Sequence, residues 1–297
     1  MSNYLKQIIE NKNWNLLNKL IKSGIVFIDD ELIDYICSLP SNVIYECLSV
    51  TPSINCSKIE ERILKLSSSD ILYNYCLNFV GPDERFKKAL LKYPDASFNY
   101  AKNILKHHDE DIFNLIFKQE RIYSYLSVYA KEISGAPIER LGEIVLSLVN
   151  AKFLVDFLKI EILKDYPELV VKIINRLKEL NDCEEIENLI NYLDNKIFNF
   201  TNTYLYNYLD EICSLSSAFD FKRLHTLISK LHSIQIIDRL HIILDELKIK
   251  IPSMNDDEKM DLLIYLSEAQ DYYMLKKYQN MFQELFQDKG QNRVRNI

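Results

Sequence analysis

The sequence predicts an all-α chain, a right-handed α-solenoid of stacked helical hairpins, and three observations carry that expectation. Turn-forming residues are scarce: 297 residues include 5 Gly and 7 Pro, too few for the many tight turns of a sandwich or barrel. Hydrophobic residues make up 48% and charged residues 27%, a globular balance with ample material for a core. One motif also recurs. FNYAKNIL at 98–105 has a near-copy in YNYCLNFV at 73–80 and a looser one in SVYAKEIS at 127–134.

Longer segments align the same way: IEERILKLSSSDILYNYCLNFV (59–80), PDERFKKALLKYPDASFNYAKNIL (82–105), DEDIFNLIFKQERIYSYLSVYAKEI (109–133) and PIERLGEIVLSLVNAKFLVDFLKIEIL (137–163). Each opens on an acidic turn followed by an apolar residue: Glu61-Arg62-Ile63, Glu84-Arg85-Phe86, Glu110-Asp111-Ile112, Glu139-Arg140-Leu141. A short helix, a break and a second helix follow, the second carrying Tyr75-Cys76, Tyr100-Ala101, Tyr129-Ala130 or Phe157-Leu158. The period, about 25–30 residues, is that of a helical hairpin unit, which buries its apolar face only by stacking on neighbours. Ala101 and Ala130 are small enough to let helices approach closely, and the aromatic beside each fills the seam. Residues 30–49 read as a degenerate fifth copy.

The elements follow in order. Residues 1–29 form a capping hairpin with Gly24 as its stop, and 30–163 hold the repeats. An irregular helical continuation spans 164–287, and 288–297 is a polar tail. Acidic first turns offset the positive end of each helix dipole. Gly81-Pro82 and Gly135-Ala136-Pro137 supply a helix stop and then a first-turn proline. Ser57 and Glu60 match a capping box. Pro167 opens the helix YPELVVKIINRLKEL, and CEEIENLINYLDNKIFNF is another. NTYLYNYLDEICSL pairs with AFDFKRLHTLISKLHSI, and IQIIDRLHIILDELKIKI leads to Pro252. Two closing helices follow, capped by Ser253 with Asp256 three residues on. GIVFIDD and KIKIP are too isolated to define a sheet.

Function is less legible. No glycine-rich phosphate loop, zinc-binding HExxH, nucleophile elbow or CxxC pair occurs, so no catalytic residue, metal site or cofactor is assigned. The formal charge of −7 disfavours nucleic acid as a general partner. The charged N-terminus is no signal peptide, and no apolar run reaches the ~18 residues of a membrane span. Cys37, Cys47, Cys56, Cys76, Cys183 and Cys213 read as reduced core residues of a cytoplasm-like compartment. The Ile, Asn, Lys and Tyr richness fits an AT-rich genome, as in many phages, large viruses and some bacteria.

Three clusters stand out. HHDED (107–111) reads as an interhelical turn whose acids open the next helix, since adjacent residues splay around a helix and do not converge on a metal. FKRLHTLISKLHSIQIIDRLH (221–241) is a basic stripe in an acidic chain. Its Lys222, Arg223, His225, Lys230, His232 and Arg239 are the candidate contacts for an anionic or acidic partner. His225 and His232 share a face if the helix is continuous. Tyr-rich patches, with Tyr204, Tyr206, Tyr272 and Tyr273, are candidate interface aromatics.

The hairpin period and caps over about 30–163 resemble α-solenoid families such as HEAT, armadillo and tetratricopeptide proteins. ENKNWNLLNKLIKSG resembles the helical part of an ankyrin unit, although the TPLHxA signature is missing. Such families imply a partner-binding surface and carry over no catalytic residue. The reading is a non-enzymatic protein-interaction or assembly scaffold, viral or phage origin included. The alternative is a nucleic-acid-binding HEAT-like solenoid that uses the stripe at 222–241.

Overall fold

The computed structural model describes residues 1–54, 57–66 and 68–286. Cys56, the side chain of Ser57 with its expected capping box, and the tail 288–297 lie outside the described residues. Among the described residues the chain is all-α, with twenty α-helices, short 3-10 and π turns, and one isolated parallel bridge between His107 and Ser134. The chain forms two compact units, Met1–Leu141 and Gly142–Ile297.

The first unit holds α1 (Asn3–Glu10), α2 (Trp14–Lys22), α3 (Asp30–Cys37), α4 (Ser41–Val50), α5 (Ser57–Lys65), α6 (Ser69–Tyr75), α7 (Glu84–Leu90), α8 (Pro94–Tyr100), α9 (Glu110–Phe113) and α10 (Leu126–Glu132). The boundary falls within α11 (Ile138–Ser147). Short polar side chains start these helices: Asp29, Asp83 and Asp109 each accept amide hydrogens from the first turn, satisfying donors the helix itself leaves open. Gly81 stops its helical segment with φ 82°, a backbone region costly for any residue with a Cβ. Pro82 and Pro137 are not first-turn residues. The Asp83 carboxylate takes the Arg85 amide at 2.8 Å, so α7 starts beyond Pro82, and Pro137 sits just ahead of α11. Pro94 does occupy the first turn of α8.

Helices α3, α5 and α7 pack in succession, and so do α2, α4, α6 and α8. Each chain of contacts therefore skips one helix, which is what stacked hairpins produce. Ion pairs link the first helices of successive hairpins. Lys58 meets Asp30 at 3.2 Å and Arg62 meets Asp34 at 2.8 Å. Arg85 meets Glu60 at 3.0 Å. Lys87 meets Asp109 at 3.1 Å and Asp111 at 3.2 Å, and Arg140 takes both oxygens of Glu110 at 2.8 and 2.9 Å. Most of these pairs are exposed and stabilise by about 0–1 kcal/mol each. Lys87 differs, with its side chain only 12% exposed. Burial alone would lower its pKa, but Glu84, Asp109 and Asp111 outweigh burial and raise it.

Two of the second helices, α6 and α8, end in π turns. Gly81 N–H bonds to Cys76 C=O at 2.7 Å, and Lys106 N–H to Ala101 C=O at 2.8 Å, both five residues back. Tyr75, Tyr100 and Tyr129 are buried, as are Cys76, Ala101 and Ala130. Tyr75 stacks on Phe86 of the next hairpin with centroids 5.6 Å apart. Tyr129 lies edge-on to Phe113 and Phe117 at 5.8 and 5.3 Å.

The second unit continues with α12 (Ala151–Leu158), α13 (Pro167–Leu180), α14 (Cys183–Phe198), α15 (Leu209–Ser214), α16 (Phe221–Ile228), α17 (Ile234–Lys250), α18 (Asp256–Glu268), α19 (Tyr272–Lys277) and α20 (Gln279–Leu285). Phe157 and Leu158 are fully buried, and α12 packs on α13 and α14. Three helices close the described chain where the sequence suggested two. Gln270 takes φ 55° and Asp271 caps α19, so the run SEAQDYYML breaks there. The cap of α18 is Asn255, which forms a capping box with Glu258; Ser253 sits in a preceding 3-10 turn. Asn255 wins because Glu258 is long enough to reach back to the cap amide, which Asp256 is not.

Candidate interaction surface

The residues singled out as partner-binding lie on and around α16 in the second unit. Asp220 accepts the Arg223 amide at 2.7 Å and starts the helix. Phe221, Leu224 and Leu227 bury one face. Lys222 and Thr226 lie on the opposite side, His225 stacks on the Phe221 ring, and Lys230 follows the helix end. The helix stops at Ile228 with Ser229 as its cap, so the run from His225 to His232 is not one continuous helix. The condition for the two histidines sharing a face is not met.

His232 belongs instead to the start of α17. Asp194 on α14, 4% exposed, accepts the amides of His232 and Ser233 at 3.0 and 2.7 Å. One carboxylate thus caps a helix from a different element, where the positive dipole end favours it. The ring Nδ1 of His232 lies 3.3 Å from the same carboxylate.

Most cations of the stripe are engaged within the unit. Arg223 binds Glu187 through Nε, and its guanidinium lies 5.3 Å from the Phe219 ring centroid. The Glu187 contact raises its pKa, against burial. Arg239 binds Asp210 and also donates to the Gln235 carbonyl at 2.8 Å. His225 joins three elements: Nε2 donates to Asp271 at 2.9 Å, and Nδ1 lies 2.7 Å from the Tyr265 hydroxyl. That hydroxyl is 2.9 Å from Thr226 Oγ1. Lys222 stands over the Tyr265 ring, 5.2 Å from its centroid. Lys230 is exposed.

The tyrosines divide. Tyr204 is half-buried; its hydroxyl donates to the Leu158 carbonyl, and burial raises its pKa. Tyr206, Tyr272 and Tyr273 are exposed. Two clefts flank α16. One of about 330 Å³ lies toward α14, lined by Glu187, Thr226 and Lys230. The other, about 460 Å³, lies toward α18, lined by Met254, Glu258, Asp261 and Ile264. Asp220 and Lys222 border both. Sequence reading passed over Glu258, Asp261 and Ile264. The acidic run DDEKMD beside the apolar LLIY was the available signal.

In the first unit, HHDED folds as an interhelical turn. Asp109 caps α9, and His108 lies between the Tyr129 hydroxyl (3.0 Å) and Glu110 (3.3 Å). Among the described residues no three His, Cys, Asp or Glu side chains are placed to hold a metal ion, and no helix is long and apolar enough to cross a membrane. Five described cysteines are free thiols. Comparison with protein families, curated proteins and solved structures finds no match to this chain.

Proposed function

We propose that the chain is a non-enzymatic scaffold that binds other protein chains, with its hairpins wound as a right-handed solenoid. The single observation that supports this most is the run of ion pairs joining first helices from α3 to α11. It is a recurrent contact between neighbouring hairpins, as stacked-repeat scaffolds have, and such stacks present extended surfaces to partners. Chemistry finds little support in the thiols. Burial pushes Cys76 and Cys213 up to about 12 and Cys37 up to about 11, so none is a ready nucleophile near neutral pH.

A nucleic-acid partner has less to rest on. Arg223 and Arg239 already hold carboxylates, which leaves Lys222 and Lys230 beside Asp220 and Glu187. Cross-linking of native material followed by mass spectrometry tests the proposal. Protein partners joined at discrete positions are the expected outcome. Complexes that dissolve on nuclease treatment, or a multiple-turnover activity lost on one pocket substitution, would refute it.

A further inference from the structure

We infer that the cleft between the start of α16 and the first half of α18 docks a cationic amphipathic segment of a partner protein. This inference rests on the binding-scaffold reading and names its site. Phe221 and Leu262, both buried, form the floor. Ile264, 50% exposed, and half-buried Met254 extend the apolar surface toward solvent. The volume, about 460 Å³, falls within the ~300–1,000 Å³ of clefts that hold ligands. It takes the side chains of one helix face and is too small for a whole domain.

The rim decides the charge of the occupant. Three carboxylates, Asp220, Glu258 and Asp261, face one ammonium, Lys222. That ammonium is drawn over the Tyr265 ring. Asp220 and Glu258 each engage one backbone amide, at 2.7 and 2.9 Å, so both are fixed in place and keep acceptor capacity for a cation. An acidic ligand would meet like charge around an apolar floor. A segment with Leu- or Ile-like anchors flanked by Lys or Arg meets opposite charge at the rim and apolar surface at the centre, the pattern of helix-in-groove recognition.

The experiment uses the full chain and a fluorescent Leu/Lys amphipathic peptide as the probe, read by anisotropy. A Leu/Glu counterpart and a Ser/Lys counterpart of equal charge are the comparisons. The wild type is expected to bind Leu/Lys and neither comparison. Asp261→Lys and Ile264→Asn should each weaken binding about tenfold. Ile249→Asn, at an exposed position on α17, should leave it unchanged, and thermal melts check that all variants fold. Equal binding of the Ser/Lys peptide, or wild-type affinity in both cleft variants, overturns the inference. Tighter binding by a peptide of residues 287–297 overturns it as well, by making the occupant this chain's own segment. Cross-linked protein complexes that persist in Asp261→Lys would refute the cleft and leave the scaffold standing. Probe binding without any protein complex in native material would do the reverse.

Discussion

The Tyr100 hydroxyl donates to the Asp83 carbonyl at 3.0 Å and accepts from the Asp83 amide at 2.9 Å. A side chain of the second helix thus holds the cap residue of the first. Tyr129 takes the equivalent place one hairpin on, where its hydroxyl lies 3.0 Å from the Nδ1 of His108, next to the α9 cap Asp109. The hydroxyl therefore has a structural use in both copies, while the ring fills the seam.

Removing that hydroxyl should be costly. Tyr100→Phe leaves a backbone amide and carbonyl short of a partner, and stability should fall by about 1–3 kcal/mol. Tyr273→Phe, at an exposed position, should change little. Urea unfolding of both variants checks the difference; equal midpoints would remove the clamp from the account.

Asp194→Ala should destabilise the second unit by about 1–3 kcal/mol, because the amides of His232 and Ser233 lose their acceptor. Asp194→Asn keeps one acceptor oxygen and should fall between. Hydrogen exchange at the start of α17 is the sensitive measurement, with faster exchange expected there before the rest of α17.

The pH dependence follows from Glu110. The Arg140 guanidinium holds its carboxyl at about 2, against burial, which raises it. A depressed folded value means the contribution is present above the ordinary carboxylate range near 4.5. It is lost as pH falls from there toward 2. Glu110→Gln should flatten the melting temperature over that window. Because Glu110 is half exposed, solvent screening keeps the effect small.

Legibility from sequence was uneven, and distance along the chain explains why. The Tyr-Ala and Tyr-Cys pairs announced their burial because short-range periodicity encodes it. The ion pairs did not, since each joins residues in different hairpins, and an acid in a first turn reads equally well as a dipole partner. Asp194 lies on α14 but caps α17, 39 residues on, a contact that no local pattern encodes. The stripe at 222–241 was visible as charge, but the break after Ile228 and the acids that meet Arg223 and Arg239 were not. At α18 the expected cap was Ser253, and the pair Asn255 and Glu258, which forms the actual capping box, was overlooked.

Thiol chemistry gives a separate check. With Cys76 and Cys213 buried and both pushed up to about 12, alkylation at neutral pH should await unfolding. Iodoacetamide labelling followed by peptide mapping should find these two positions unmodified in the native chain and modified in denaturant.

The links between first helices have a consequence for how the chain is made. Each closes a loop of modest length, from 22 residues for Lys87–Asp109 to 30 for Arg140–Glu110. Short loops cost little entropy to close and make for rapid folding. A hairpin emerging from the ribosome finds its docking surface already built by the one before it. At ~5–20 residues per second, the nascent first unit grows one hairpin every few seconds and exposes only its newest seam. Ribosome-bound chains halted after α6 or α8 should accordingly resist protease up to the last completed pair of helices.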